Sequence, residues 1–137
     1  MTQVFTNCSI FNGENFVGNR AVVTEGDRIK KVVHKSNLFG YENIIDLKGA
    51  LLVPGFIDLQ VNGGGGAFYT QEPSIENYKI SNKAHLDFGT TALLPTLVST
   101  SLDNIIAQCK IVREMMKDSD SGVIGLHVEG PYFNPER

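Results

Sequence analysis

The sequence is poor in cysteine: Cys8 and Cys109 are its only two, far apart in sequence and without the spacing of a metal-binding pair. A reduced pair and a cytoplasmic location are the expectation. Basic charge is also short. The 12 Lys and Arg against 15 Asp and Glu leave a net charge of -3 and an isoelectric point near 5.5. Nucleic-acid binders carry a basic patch instead; the densest basic run here, Lys30-Lys31, reads as a solvated strand end. No stretch reaches the ~18 apolar residues of a membrane span, and Met1-Thr2-Gln3 opens no secretory leader. Neither nucleic acid nor membrane is therefore expected as a partner. Length is the last shortage. The 137 residues suffice for one domain, whereas a closed (β/α)8 barrel takes ~250.

What is present is an ordinary globular composition, 42% hydrophobic and 20% charged, with chemistry concentrated in two stretches. Val123 to Phe133 begins as an aliphatic run and breaks at Gly130-Pro131, as a buried strand does when it opens into a loop. Alternation sets Ile124, Leu126 and Val128 on one face and Val123, Gly125, His127 and Glu129 on the other. A buried carboxylate costs several kcal/mol (~3–5 when unpaired) unless a cation, a metal or strong donors meet it. Glu129 thus needs a partner: a divalent metal, or backbone N–H groups or an Arg. The second stretch, Leu51 to Gly66, alternates Ile57, Leu59 and Val61 against Asp58, Gln60 and Asn62 and ends in four glycines. Two strands, each polar on one face at the C-terminal end, suggest a parallel barrel with its site at that rim.

At these residues the chain resembles a known family. Pro54-Gly55-Phe56-Ile57-Asp58 followed by a polar-x-polar pair looks like the first barrel strand of the amidohydrolase superfamily. Most members carry His-x-His at that pair; here it is Gln60-Val61-Asn62. That departure, with Leu94-Pro95-Thr96-Leu97 and Leu126-His127-Val128-Glu129-Gly130-Pro131, is similar to one branch, the N-acetylglucosamine-6-phosphate deacetylases. The resemblance runs from about Asn43 onward and is fainter before it.

Taken in order, the chain reads as α/β. Residues 1–48 hold short antiparallel strands, Val4–Phe11, Asn19–Glu25 and Arg28–His34, separated by Asn12-Gly13 and Glu25-Gly26-Asp27. His34 is expected in solvent. The resemblance implies that these strands are the N-terminal part of a small β-sandwich, and that residues 49–137 are the opening strands and helices of a (β/α)8 TIM-type barrel, so that the chain is an N-terminal fragment. Gly63 to Gly66 lack the Lys and Ser/Thr of a P-loop and read as a tight turn. A helix is predicted over Ser74–Phe88, capped by Ser74 and stopped by Gly89, with Ile80, Ala84 and Phe88 on one face and His85 at the surface. Thr90–Ser99 reads as a buried strand in which Pro95 demands a bulge or a strand end. Thr96, Ser99 and Thr100 are placed to line a mouth or to cap the next helix. That helix, from Thr100 or Ser101 to about Lys117, shows capping-box spacing at Thr100 and Asp103 and an apolar stripe of Leu102, Ile105, Ile106, Cys109, Val112 and Met116, with Cys109 in the core. Strand, helix, strand, helix, strand gives right-handed crossovers between parallel strands.

For chemistry, the resemblance implies that Glu129 is one ligand of a single divalent metal ion, zinc by expectation. Two histidines and a catalytic aspartate come from strands beyond Arg137, so no catalytic residue is expected within the chain. Neutral amides are poor ligands beside imidazole, and Gln60 and Asn62 are assigned to the inner wall of the site or to supporting its ligands. His127, two residues deeper than Glu129, is expected to be a hydrogen-bonded interior histidine rather than a ligand. The implied reaction removes acetate from N-acetylglucosamine 6-phosphate, with the downstream aspartate moving the proton from water to the departing amine. The implied partners are this phosphorylated amino sugar and a second subunit of a homodimer. Two rivals stand beside this reading. One is another amidohydrolase, dihydroorotase-like or D-aminoacylase-like, against which the missing His-x-His argues. The other is a truncated non-catalytic module, against which uncovered sheet edges argue.

Overall fold

The structure, a computed structural model, describes residues 1–132 together with Asn134 and Glu136. Phe133, which closes the stretch carrying His127 and Glu129, lies outside the described residues, as does Arg137. The chain forms two compact units, Met1–Pro54 and Gly55–Arg137.

The first unit contains β1 (Thr2–Thr6), β2 (Ser9–Phe11), β3 (Phe16–Val17), β4 (Arg20–Glu25), β5 (Arg28–His34), β6 (Ile44–Asp46) and β7 (Leu51–Leu52). They make a four-stranded sheet ordered β5-β4-β1-β6 and a three-stranded sheet ordered β3-β2-β7. The hairpin across Glu25-Gly26-Asp27 joins β4 to β5 as expected, but the single strand expected over Val4–Phe11 is split, β1 pairing with β4 in one sheet and β2 with β3 in the other. Asn12 Oδ1 accepts from the N–H groups of Glu14 and Asn15 at 3.0 and 2.8 Å to turn β2 into β3. Two strands, β6 and β7, pair in parallel with β1 and β2 instead. Leu51-Leu52 therefore belongs to this unit and not to the opening of the next, because its partner Ser9-Ile10 is supplied from far upstream. One face of the larger sheet buries Val4, Ala21 and Val23 under Val33, Leu38 and Tyr41. Its other face, with Phe5, Val22, Ile29 and Val32, meets Ile10, Phe11 and Leu52 across an apolar cleft of about 350 Å³. His34 is exposed, as expected, its Nδ1 2.8 Å from Ser36 Oγ.

The second unit contains β8 (Phe56–Val61), the small hairpin β9 (Gly63–Gly64) and β10 (Ala67–Phe68), α1 (Ile75–Leu86), β11 (Thr90–Leu97), α2 (Leu102–Met115), a 3-10 turn (Ser119–Ser121) and β12 (His127–Val128). Strands β12, β11 and β8 form a parallel sheet in that order. Ser74 caps α1 and Ser101 caps α2, each hydroxyl accepting a backbone N–H three residues on, from Asn77 at 3.2 Å and Asn104 at 3.3 Å. Gly89, at φ +94°, stops α1.

The helices bury faces that differ from those the apolar spacing suggests. In α1 the covered residues are Tyr78, Ser81 and Asn82, while Ile80 and Phe88 are exposed. In α2 they are Gln108, Val112 and Met115, and Cys109 is exposed rather than core. Hydrogen bonding explains the shift. Tyr78 Oη donates to Gln108 Oε1 at 2.7 Å, the Gln108 amide donates to the Tyr69 carbonyl, Tyr69 Oη donates to Asn82 Oδ1 at 2.7 Å, and Asn82 Nδ2 donates to the Ser121 carbonyl at 2.8 Å. This polar chain ties both helices, the turn after β10 and the 3-10 turn together, around a core of Val61, Tyr69, Tyr78, Leu93, Leu97, Val112, Met115 and Val123. Tyr69, Tyr78, Asn82 and Gln108 are each partnered in it, whereas the buried Ser81 Oγ on the same face of α1 meets no partner among the described residues. His85 is likewise half-buried and not at the surface, with Nε2 2.9 Å from the Gly63 carbonyl.

Burial pushes the Tyr69 phenol up to about 12, and burial together with the neighbouring Tyr69 pushes Tyr78 up as well. The unfolded chain releases these protons from about pH 10, while the folded chain keeps them. Stability is therefore full below about pH 10 and declines as pH rises through about 12. Thermal unfolding followed by circular dichroism, with phenolate absorbance recorded on the same samples, is expected to show melting temperature falling in that window. Complete phenolate formation at Tyr69 before any unfolding would contradict it.

Candidate functional site

The residues singled out above lie on the parallel sheet of the second unit. Thr96 pairs with His127 and Leu97 with Val128, while Pro95 pairs with Val61. Paired residues share a face. Val61 and Leu97 lie in the helix-covered core, so alternation carries Asn62, Thr96 and His127 as a row on the opposite face. Leu94-Pro95-Thr96-Leu97 thus forms the middle of the sheet, between the other two motifs. Thr96 is wholly buried and its hydroxyl donates to the Leu94 carbonyl at 3.2 Å. Asn62 and His127 are half-buried; Gln60 is exposed, and so is Glu129, where a buried carboxylate was expected, because the strand ends there with no covering layer among the described residues.

Two departures from regular alternation shape this face. Between Val123, which bridges Leu93, and β12 the third strand has no ladder, and Val123 and Leu126 both pack toward the helices. The single alternation expected from Val123 to Glu129 is therefore broken; Gly125, closely approached by Leu94, stands in the gap. In β8, an irregularity falls between Asp58 and Val61, so Asp58, Gln60 and Asn62 do not form one uninterrupted face. A bulge or strand end was expected at Pro95; the extra residue is in β8.

Glu129 is held through its backbone. Its N–H donates to the Leu97 carbonyl at 2.8 Å, and Ser99 Oγ donates to its carbonyl at 3.4 Å. The carboxylate takes no hydrogen bond from the described residues. Thr100 supports the cap of α2, its Oγ1 accepting from Asn104 Nδ2 at 3.0 Å. Gly63 to Gly66 are used in the hairpin β9–β10, with Gly63 paired to Phe68 and Gly64 to Ala67.

The donor set can be tested against a divalent metal, which takes about four donors when held structurally. Among the described residues no group of three or more His, Cys, Asp and Glu is placed to hold one. Nδ1 of His127 faces the Leu59 carbonyl, and Gln60 and Asn62 are neutral. The described residues thus do not by themselves make a metal site, and the exposed Glu129 carboxylate takes no hydrogen bond from them. No helix among them is long and apolar enough to cross a membrane.

Residues 4–52 match the family model of the NagA composite domain. Most of this segment precedes Asn43, where the motif resemblance was faintest. Along its whole length the chain is 35% identical to N-acetylglucosamine-6-phosphate deacetylase of Haemophilus influenzae, covering 36% of that protein. Over 88 residues, 64% of the chain and 22% of the relative, it is 41% identical to N-acetylgalactosamine-6-phosphate deacetylase of a Shewanella species. The fold follows the crystal structure of N-acetylglucosamine-6-phosphate deacetylase from Pasteurella multocida with a TM-score of 0.93 at 32% identity, over 99% of this chain and 36% of that one. The chain spans about a third of the length of the curated relatives that it matches end to end. Identity of 35% along the whole chain, a shared backbone and a shared composite domain make the chain a member of the N-acetylglucosamine-6-phosphate deacetylase family.

Proposed function

We propose that this chain is the N-terminal part of a metal-dependent deacetylase that converts N-acetylglucosamine 6-phosphate to glucosamine 6-phosphate and acetate. In this reading the strands of the first unit belong to a small β-sandwich, and β8, β11 and β12 open a (β/α)8 barrel. The observation that carries it is on one face of the parallel sheet, where Thr96 and His127 are paired, Asn62 follows Val61 at the end of β8, and Glu129 follows at the end of β12. Active sites of such barrels lie at that end of the strands.

Glu129 supplies one carboxylate ligand from a backbone anchored on Leu97 and Ser99. A divalent ion, with zinc the expectation, would be held in part by Glu129 and would supply an activated water and polarise the acetamide carbonyl. Gln60 and Asn62 form a neutral wall that hydrogen-bonds without adding charge or competing for the ion. Proton transfer falls to residues supplied by the remaining length that the relatives have, as does the grip on the phosphate, in a cytoplasmic homodimer.

A second reading is favoured by the 41% identity to the Shewanella relative: the sugar is the galacto epimer. One experiment addresses both. Acetate release is measured from N-acetylglucosamine 6-phosphate and N-acetylgalactosamine 6-phosphate, with the 137-residue chain and with the same sequence carried in a polypeptide of its relatives' full length. We expect no turnover from the chain by itself, because most of the metal shell is outside it, and turnover with the gluco sugar from the longer polypeptide. Activity of the isolated chain, or preference for the galacto sugar, overturns the corresponding part.

A further inference from the structure

We propose that His127 is a positioning residue: together with Asp58 it clamps the Leu59–Gln60 peptide plane, and so sets the wall residues Gln60 and Asn62. The role as a wall rests on the deacetylase reading; the clamp does not.

From the pair Leu93↔Asp58 to the pair Pro95↔Val61 the chain advances two residues on β11 and three on β8. One residue of β8 is therefore extra, a β-bulge. Pro95 on β11 is not the missing partner: Leu93 and Leu97 direct their backbone groups to the third strand, and alternation turns position 95 the same way, so the interruption lies in β8 itself, between Asp58 and Val61. Backbone groups displaced from a ladder need partners elsewhere. Both groups of one peptide unit find them in side chains. The Gln60 N–H donates to Asp58 Oδ1 at 3.0 Å. The Leu59 carbonyl lies 3.1 Å from His127 Nδ1, although His127 is on β12 and the whole of β11 separates the two strands. A carbonyl oxygen only accepts, so Nδ1 is the nitrogen that carries the proton.

The C=O and N–H of a peptide unit are fixed in one plane and point in opposite directions. Holding both ends therefore fixes the plane's rotation, and with it the direction in which Gln60 leaves the backbone. Without the imidazole, the bulge keeps its extra residue but loses the partner of one end, and the plane is free to turn. Neither group is a ligand or an acid-base catalyst in this role.

The test compares His127→Leu, which cannot donate, with His127→Asn, whose amide nitrogen stands near the place of Nδ1 and can. In the 137-residue chain, ring 15N shifts should show His127 protonated on Nδ1, and exchange of the Gln60 amide hydrogen should quicken at least ~10-fold in His127→Leu while His127→Asn stays within about threefold of the parent. In the polypeptide of full length, His127→Leu should raise KM ~10–100-fold at unchanged metal content, with His127→Asn restoring most of it. Protonation on Nε2, unchanged Gln60 exchange in His127→Leu, or loss of metal in step with activity would each overturn the proposal. Should His127→Leu not fold, the same exchange comparison is made with His127→Gln, whose longer side chain misplaces the donor and should quicken exchange where His127→Asn does not. The exchange result involves neither sugar nor metal, so a parent without deacetylase activity sinks the functional reading and leaves the clamp standing.

Discussion

Gly63→Ala is expected to destabilise the second unit by at least ~2 kcal/mol, with a fall in melting temperature of roughly 10 °C or more. A Cβ at Gly63 would stand 2.2 Å from the Ala67 carbonyl oxygen and 2.9 Å from Phe68 Cα. Both are backbone atoms of the strand to which Gly63 is paired. No rotamer change relieves such a contact; the hairpin has to open. Opening it disturbs more than four glycines, because the Gly63 carbonyl receives His85 of α1, and the strand leads directly into Tyr69 at the centre of the buried polar chain. Gly66→Ala provides the contrast. Gly66 has φ +88° but no atom within 4 Å of the added Cβ, so only the left-handed backbone is strained, at a cost of about 1 kcal/mol. Thermal or urea unfolding of the two variants measures the difference. Equal losses would mean that the hairpin yields freely and the close approach is immaterial.

The run of glycines was legible as a turn because glycine signals conformational freedom directly. Which of them is irreplaceable was not, since that depends on a strand opposite. The same divide runs through the chain. Caps at Ser74 and Ser101 and the stop at Gly89 follow from local hydrogen bonding, and the structure has them. The faces of the helices do not follow. A stripe of Ile80, Ala84 and Phe88 is a statement about hydropathy, whereas Tyr78, Asn82 and Gln108 are buried because each meets a partner brought by a distant segment. Several apolar side chains left exposed, Ile57 and Leu59 among them, belong to strands whose far faces have no covering layer among the described residues. Pro95 is the instructive middle case. Its ring announces an irregularity in β11, yet the extra residue is in β8, and the side chain that meets the Leu59 carbonyl there is in β12.

Glu129→Gln should leave the fold intact and remove the metal. Its carboxylate makes no hydrogen bond to the described residues, and what holds the residue is backbone, the N–H on Leu97 and the carbonyl under Ser99. An exposed substitution of this kind changes stability by no more than ~0.5 kcal/mol. As a metal ligand the amide is a different matter. It is neutral where the carboxylate carries the charge that offsets the ion, and its nitrogen cannot coordinate while protonated. In the polypeptide of full length, bound metal measured by elemental analysis is expected to fall at least ~10-fold, and kcat by more than the ~10–100-fold that removing a ligand's supporting hydrogen bond costs. Glu114→Gln serves as the control, since Glu114 is an exposed helical carboxylate paired with Lys117 at 2.7 Å and remote from the strand ends; metal and turnover should be unchanged in it. Excess metal should recover part of the activity of Glu129→Gln if one ligand of several has gone. Full metal content and full turnover in Glu129→Gln would instead place that carboxylate outside the coordination shell, and the chemistry would have to begin from another residue.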